Sequence, residues 1–320
     1  MRYIWQVYQD GSFSKAAEHL FMTQPALSVA VRRVEAATGA ELFDRSRHPL
    51  ELTEAGRAYI AAIEHIRCTE EDLARQIEDL RGLRAGHLRI GGTHYLNSYL
   101  LADVLSGFTQ EYPDIRVDLV EAGSPALIEM LRRRELDATF SCAPHIVEQF
   151  EHRPAFLDHV LLAVPEHMPL PSELEGARLS ADDILAGRHL GSDCPRAPLH
   201  LFASLDFILL GEGNNLRERS LAMLEGAGVR PRIRMTLSQL VTAYAMAAGG
   251  LGASFVCDRL VRTASSRLAF FRLESPLATR DFHILLSHRD YTPFAVRAFA
   301  EYAPARIRAS DLAHGRDWSK

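Results

Sequence analysis

Cysteine is scarce and scattered. Only Cys68, Cys142, Cys194 and Cys257 occur in 320 residues, far apart and with no CxxC or metal-type spacing. That argues against a disulfide scaffold or a zinc module and fits a reduced, cytoplasmic setting. No stretch approaches the ~20 apolar residues of a membrane span. Met1-Arg2 is followed at once by an amphipathic segment, not by the apolar run of a secretion signal. An excess of positive charge is also missing, since 36 Lys and Arg face 41 Asp and Glu for a net charge of −5. A nucleic-acid partner would have to be met by local placement of charge, not by a basic field. Enzyme signatures are absent too: there is no Gly-x-Ser-x-Gly, no P-loop and no clean dinucleotide fingerprint. Gly249-Gly250-Leu251-Gly252 leads into a strand, which suits a turn and not a phosphate cradle, and His189, Cys194 and His200 are irregularly spaced for metal ligation. The expectation is therefore no catalytic residue, no metal and no cofactor.

What is present is an ordinary globular composition, 47% hydrophobic and 24% charged, long enough for two or three domains. The chain is organised around Phe13–Glu35, which reads as two short helices joined by a tight corner at Phe21 and Met22. Ser14 is the expected cap of the first helix, which carries Ala16, Ala17 and Leu20; Thr23 is the expected cap of the second, with Pro25 in its first turn, where a missing N–H costs nothing. Leu27, Val31 and Val34 recur at helical spacing as a core stripe. Pro25, Val29 and Arg32 point away from it, with Gln24 and Ser28 on its flank. This is the build of a helix-turn-helix with a recognition helix at 24–35, although the same periodicity also suits a helical hairpin with a solvated face.

The wording of the stretch goes further. Gly11-Ser12-Phe13, Ala16-Ala17, Thr23-Gln24-Pro25-Ala26-Leu27-Ser28, Val34-Glu35, Leu42-Phe43-Asp44-Arg45 and Leu52-Thr53-Glu54-Ala55-Gly56 resemble, in order, the DNA-binding domain of the LysR-type transcriptional regulators. That resemblance implies a winged helix-turn-helix over 1–57, with Thr23, Gln24, Pro25, Ser28, Val29 and Arg32 at DNA. Glu41–Thr53 would form the wing, with Arg45, Arg47, His48 and Thr53 toward phosphates or the minor groove. The family pattern has several more residues before the first helix, which leaves open a clipped helix or a start inside the true one.

Residues 54–83 read as one long helix. Tyr59, Ile63, Ile66, Leu73, Ile77 and Leu80 form a heptad seam interrupted at Glu70. A helix with a single apolar stripe needs a partner, and the resemblance implies antiparallel pairing with a second copy, with the effector modules pairing further into a tetramer. Residues 58–86 are thus expected as a dimerisation linker and hinge.

From His87 strands and helices alternate, which implies a parallel sheet covered on both faces. The expected class is α/β with an all-α winged helix-turn-helix head, a long linker helix and a two-lobed, periplasmic-binding-protein-like effector domain over 87–305. One lobe would comprise 87–160 and 266–305, the other 161–265, with 306–320 as a flexible tail. Asp137-Ala-Thr-Phe-Ser, Leu162-Ala-Val-Pro-Glu-His-Met-Pro-Leu and Ala248-Gly-Gly-Leu-Gly-Ala-Ser-Phe-Val stand where the same family has landmark segments; residues 187–206 match none of them.

Ligands of open α/β sheets sit beyond the carboxyl ends of the strands. Those ends here carry Thr93, His94, Ser124, Ser141, Cys142, Asn214, Asn215, Ser238 and Gln239, mostly where helices begin. Helix N-termini favour anions, so a small effector, a carboxylate above all, is expected between the lobes. No Arg or Lys is expected at these ends, which leaves a neutral polar ligand open, and the same residues also serve as plain helix caps. The reading is a cytoplasmic regulator that binds double-stranded DNA, a small-molecule effector and further copies of itself, with no membrane contact and with RNA polymerase as a partner if it activates. The alternative is a cytoplasmic ligand-binding protein or enzyme on the same α/β fold.

Overall fold

The computed structural model describes residues 1–46, 49–81, 85–264, 267–288 and 291–313. The chain divides into two compact units, Met1–Ile77 and Glu78–Lys320.

The first unit holds α1 (Arg2–Asp10), α2 (Phe13–His19), α3 (Gln24–Thr38), the strand pair β1 (Phe43–Asp44) and β2 (Glu51–Leu52), and most of α4 (Glu54–Leu80). Its core gathers Ile4, Val7, Ala16, Ala17, Leu27, Val31, Leu42, Phe43, Ile60 and Ile63. The first cap differs from expectation. Ser12, in extended backbone, is the N-cap of α2, and Ser14 already lies inside the first turn, because the helical ladder opens with the Ala16 amide donating to the Ser12 carbonyl. Thr23 caps α3 as expected, accepting from the Ala26 amide at 3.4 Å. The corner between them is made by Phe21, whose φ of 54° is unusual for a bulky residue and whose ring is 96% exposed. Gly56 is required by a close approach: a Cβ there would lie 1.9 Å from the Leu42 carbonyl oxygen.

The second unit is built on a nine-stranded mixed sheet. In chain order its elements are β3 (Gly86–Gly92), α5 (His94–Leu96), α6 (Ala102–Glu111), β4 (Ile115–Glu121), α7 (Ser124–Arg132), β5 (Ala138–Ser141), α8 (Pro144–Val147), β6 (Glu151–Pro165), α9 (Ala181–Leu185), β7 (Asp206–Leu210), α10 (Asn215–Gly226), β8 (Arg232–Leu237), α11 (Leu240–Ala248), β9 (Ala253–Cys257), β10 (Leu268–Arg272), β11 (Thr279–Leu286) and α12 (Phe294–Ala313). The strand order is β4-β3-β5-β11-β6-β9-β7-β8, with β10 also on β6. Pairing is parallel around β3 and β7, as expected, but antiparallel wherever β6 and β11 take part. The 15-residue β6 is the reason. Its residues 151–159 pair with β11 and its residues 160–165 pair with β9 and β10, so one strand serves both halves of the sheet. Because β10 lies along 161–165, it belongs beside the second half and not, as expected, with the strands after residue 265.

The expected flexible tail is in part a correction. Helix α12 continues to Ala313, and Ile307 and Asp311 are both 2% exposed. The polar composition of 306–313 hid this, because Asp311 is buried by a bidentate pair with Arg259, at 2.7 Å on each arm. No helix among the described residues is long and apolar enough to cross a membrane.

Candidate nucleic-acid interface and ligand cleft

Helix α3 buries Leu27 and Val31 and leaves Gln24, Pro25, Val29, Arg32 and Arg33 exposed, with Ser28 half-buried between the two faces. The expected reading face is thus a solvent-facing surface of polar, apolar and cationic side chains. The base of the wing is fixed by Glu35, which is buried in the last turns of α3. One of its carboxylate oxygens accepts from the Leu42 amide at 3.0 Å and the other from the Arg45 guanidinium at 2.8 Å. Arg45 also lies over the Phe13 ring, 5.0 Å from its centroid. Arg45 therefore joins the recognition helix, the wing and α2, a positioning contact that sequence spacing did not reveal. The Thr53 hydroxyl is engaged on both sides, donating to the Glu41 carbonyl at 2.6 Å and accepting from the Gly56 amide at 2.9 Å. Arg47 and His48 lie outside the described residues.

The linker seam splits in two. Tyr59 is half-buried against the head core and Ile63, only 3% exposed, is part of it. Ile66, Leu73, Ile77 and Leu80 are exposed, Leu80 by 80%. The unpartnered stripe thus begins at Ile66; the first two seam positions are taken by the head's own core.

In the second unit, the ends of β3, β5 and β7 and the starts of α7, α10 and α11 border a cavity of about 330 Å³. Thr93, Ser124, Ser141, Cys142, Asn214, Asn215 and Gln239 all line it. His94 and Ser238 do not; they line an adjoining cavity that shares Thr93, Ser124, Asn214 and Gln239 with the first. Two of the polar groups are helix caps: Thr93 accepts from the Leu96 amide at 3.5 Å and Asn214 from the Leu216 amide at 2.9 Å. His94 pairs with Glu121 at 3.2 Å. Cys142 donates its thiol to the side-chain Oδ1 of Asn215 at 3.2 Å. Burial pushes that thiol up from its ordinary range, although Arg280 and Arg219 oppose the shift, so Cys142 is a neutral lining group and not a thiolate.

The floor and walls contain what the sequence reading missed. Phe140, Phe282, Ile128, Leu216 and Leu240 supply an apolar surface, and two arginines, Arg132 and Arg280, reach the cavity. The strand ends themselves carry no Arg or Lys, as read, but these two cations come from the end of α7 and from β11, so the expectation that only N–H groups and hydroxyls face a ligand is corrected. Arg280 arrives from β11, directly across from Asp158 of β6 in the antiparallel register. The two form a buried ion pair with Asp158 wholly inaccessible, and Tyr95 donates its hydroxyl to the same carboxylate at 2.7 Å. Burial opposes the Arg280 charge, yet Cys257 and Asp158 beside it hold the guanidinium protonated, well above its usual range. Tyr95 is likewise raised, first by burial and then by Asp158. A neutralised network therefore underlies a cavity that is apolar within and polar at its rim.

Comparison with known proteins agrees over nearly the whole chain. Residues 1–57 match the bacterial regulatory helix-turn-helix protein, lysR family, and residues 81–197 and 186–308 match the LysR substrate binding domain. The chain is 30% identical to the uncharacterized HTH-type transcriptional regulator YcgK of Bacillus subtilis, over 96% of this chain and 94% of that one. It is 28% identical to a probable RuBisCO transcriptional regulator of Cyanidioschyzon merolae, covering 80% of each. Among solved structures, full-length OxyR from Pseudomonas aeruginosa, as a point variant, superimposes with a TM-score of 0.62 at 23% identity, covering 100% of this chain and 97% of that one. Full-length CbnR complexed with its target DNA gives 0.59 at 20% identity, covering 95% and 98%.

Proposed function

The chain belongs to the LysR family of helix-turn-helix regulators, and from that premise we propose that α3 reads operator DNA while the cleft takes a small carboxylate with an apolar body. The chain is a DNA-binding transcriptional regulator with an effector-binding domain. Gln24, Ser28 and Arg32 would meet base edges in the major groove, and Val29 a thymine methyl. Thr23 and Pro25 would set the approach of the helix N-terminus to phosphate, and the wing would add backbone contacts. Paired copies would meet through the exposed stripe from Ile66 to Leu80, placing two heads on a two-fold site. Contact with RNA polymerase would follow if the protein activates.

The observation that carries the effector class is the division of the cleft. Helices α7, α10 and α11 start at its rim, offering N–H groups and hydroxyls to an anionic head. Phe140, Phe282, Leu216 and Leu240 offer an apolar wall to the rest of the molecule. Arg280 is already neutralised by Asp158, so head-group affinity would rest on the rim and on Arg132. A ligand touching both halves of the sheet at once would favour the closed arrangement and shift its population; a coupling of ~1–3 kcal/mol is enough for a 5–150-fold change in DNA preference. Calorimetry of the full chain against aromatic and aliphatic carboxylates, sugars and amino acids tests the reading. Carboxylates with an apolar body should bind. Binding restricted to uncharged compounds would remove the carboxylate assignment.

A further inference from the structure

A second cavity, of about 180 Å³, shares no lining residue with the cleft. His159 of β6, His189, Arg196, Arg272 of β10, Ser275 and Thr279 line it. Four segments distant in sequence meet there, each held by specific bonds. His189 stands in a 3-10 turn at 188–190 and is 1% exposed. Arg196 is pinned at the rim because the next residue, Ala197, bridges to Leu273, with its amide donating to the Arg272 carbonyl at 2.7 Å. Arg272 directs one nitrogen, Nη1, at the Gly191 carbonyl at 2.6 Å, which uses part of a five-donor guanidinium. Residues 187–206, which matched no landmark in the sequence, thus supply two of the four basic side chains.

The electrostatics of this cavity are incomplete as they stand. Two arginines and two histidines line it, and the buried Asp258 beside them pairs with His189 Nε2 at 3.1 Å. A carboxylate there fixes Nε2 as the donor, by the logic of the hydrogen-bond network. The other ring nitrogen, Nδ1, is buried and has no hydrogen-bond partner among the described residues. A buried polar atom without a partner costs free energy that a ligand would recover. Burial holds the His159 ring below its ordinary range; His189 and Arg272 add to that shift, while Asp258 and Asp158 oppose it. The cavity thus brings two guanidinium groups together beside a buried ring nitrogen without a partner.

We propose that this cavity binds a small tetrahedral oxyanion, a phosphate or sulfate group, through Arg196 and Arg272, seated against the ring of His189. The anion sits where β6 passes between the two halves of the sheet and where the chain returns from β10 to β11. Its occupancy braces three segments at that passage at once.

The test is calorimetric titration of the full chain with inorganic phosphate, sulfate and glycerol phosphate, against chloride at matched ionic strength. Saturable one-site binding is expected, weakened at least about tenfold by Arg196→Gln, as for loss of a charged hydrogen bond. Arg196 is exposed, so that substitution removes a ligand contact without opening the core. Binding should be unchanged in Gln239→Leu, which alters the cleft. Nitrogen-15 spectra should show the His189 ring resonances shifting on addition of phosphate, with His189→Asn identifying the signals. Tighter binding of glycerol phosphate than of phosphate identifies a monoester head group, and equal binding identifies the free ion; either supports the site. Absence of saturable binding at millimolar anion, indifference to Arg196→Gln, or loss of binding in Gln239→Leu overturns it.

Discussion

Asp79, near the end of α4, accepts a hydrogen bond from the Tyr291 hydroxyl at 2.5 Å. The same carboxylate oxygen accepts from the Phe294 amide at 2.7 Å, so the linker helix supplies the cap for the first turn of α12. This is an N-cap delivered from 215 residues away in sequence, doing what Ser or Asp ordinarily does from the preceding position. Asp79→Ala should therefore cost ~0.5–2 kcal/mol and Tyr291→Phe less, both read by thermal unfolding of the full chain. Equal stability of Asp79→Ala and the parent would mean the cap contributes nothing.

The α3 assignment separates two kinds of DNA contact. Gln24→Ala should lose ~1–3 kcal/mol of discrimination at one base position. Its binding should keep the parent salt dependence, because an uncharged side chain releases no counterions. Competition binding on operator variants at several salt concentrations checks both. Retained discrimination at every position would move Gln24 off the bases.

The split seam gives opposite outcomes for two substitutions that look alike in sequence. Ile63 is core, so Ile63→Ala should destabilise the head by ~2–5 kcal/mol. Leu73 is 56% exposed, so Leu73→Asp should leave unfolding unchanged and dissociate the assembly. Sedimentation combined with thermal unfolding distinguishes the two. A Leu73→Asp protein that sediments like the parent would contradict pairing through this stripe.

His159 makes stability depend on pH in a definite direction. Its ring is held below the ordinary value of 6.5, first by burial, with His189 and Arg272 adding and Asp258 and Asp158 opposing. The unfolded chain therefore binds the proton more readily than the folded one. The stabilisation is complete above pH ~6.5 and is lost as pH falls through the lower, folded value. His159→Gln should flatten the decline in melting temperature below pH 6.5, and 10 mM phosphate should do the same in the parent if the oxyanion site fills. An unchanged slope in His159→Gln would assign the decline to other groups.

How much of this was legible in the sequence follows from how local each feature is. Thr23, Pro25, Leu27 and Val31 lie within a few turns of one another, and their spacing carried the head. The rim of the cleft was legible for the same reason: Thr93, Ser124, Asn214 and Gln239 each follow a strand and begin a helix. Arg280 was not, because it meets Asp158 only through the pairing of β11 with β6, and no local pattern encodes that register. Helix α12 beyond Arg306 was missed because its burial depends on Arg259, and the clamp of Glu35 on Arg45 was missed because a buried Glu in a helix reads as a surface residue. Residues 187–206 carry no periodicity, and long-range contacts such as the bridge from Ala197 to Leu273 and the pair of His189 with Asp258 give them a place.

The central claim is that occupancy of the cleft changes how the head meets DNA. The most direct measurement is footprinting of the full chain on the DNA upstream of its own gene, with and without the carboxylate that binds most tightly in calorimetry. The account predicts a two-fold-related protected region whose extent or affinity changes about 5–150-fold with that ligand, and a Gln239→Leu protein that protects the same region without responding. Protection that ignores the ligand, or a response that survives in Gln239→Leu, would contradict it.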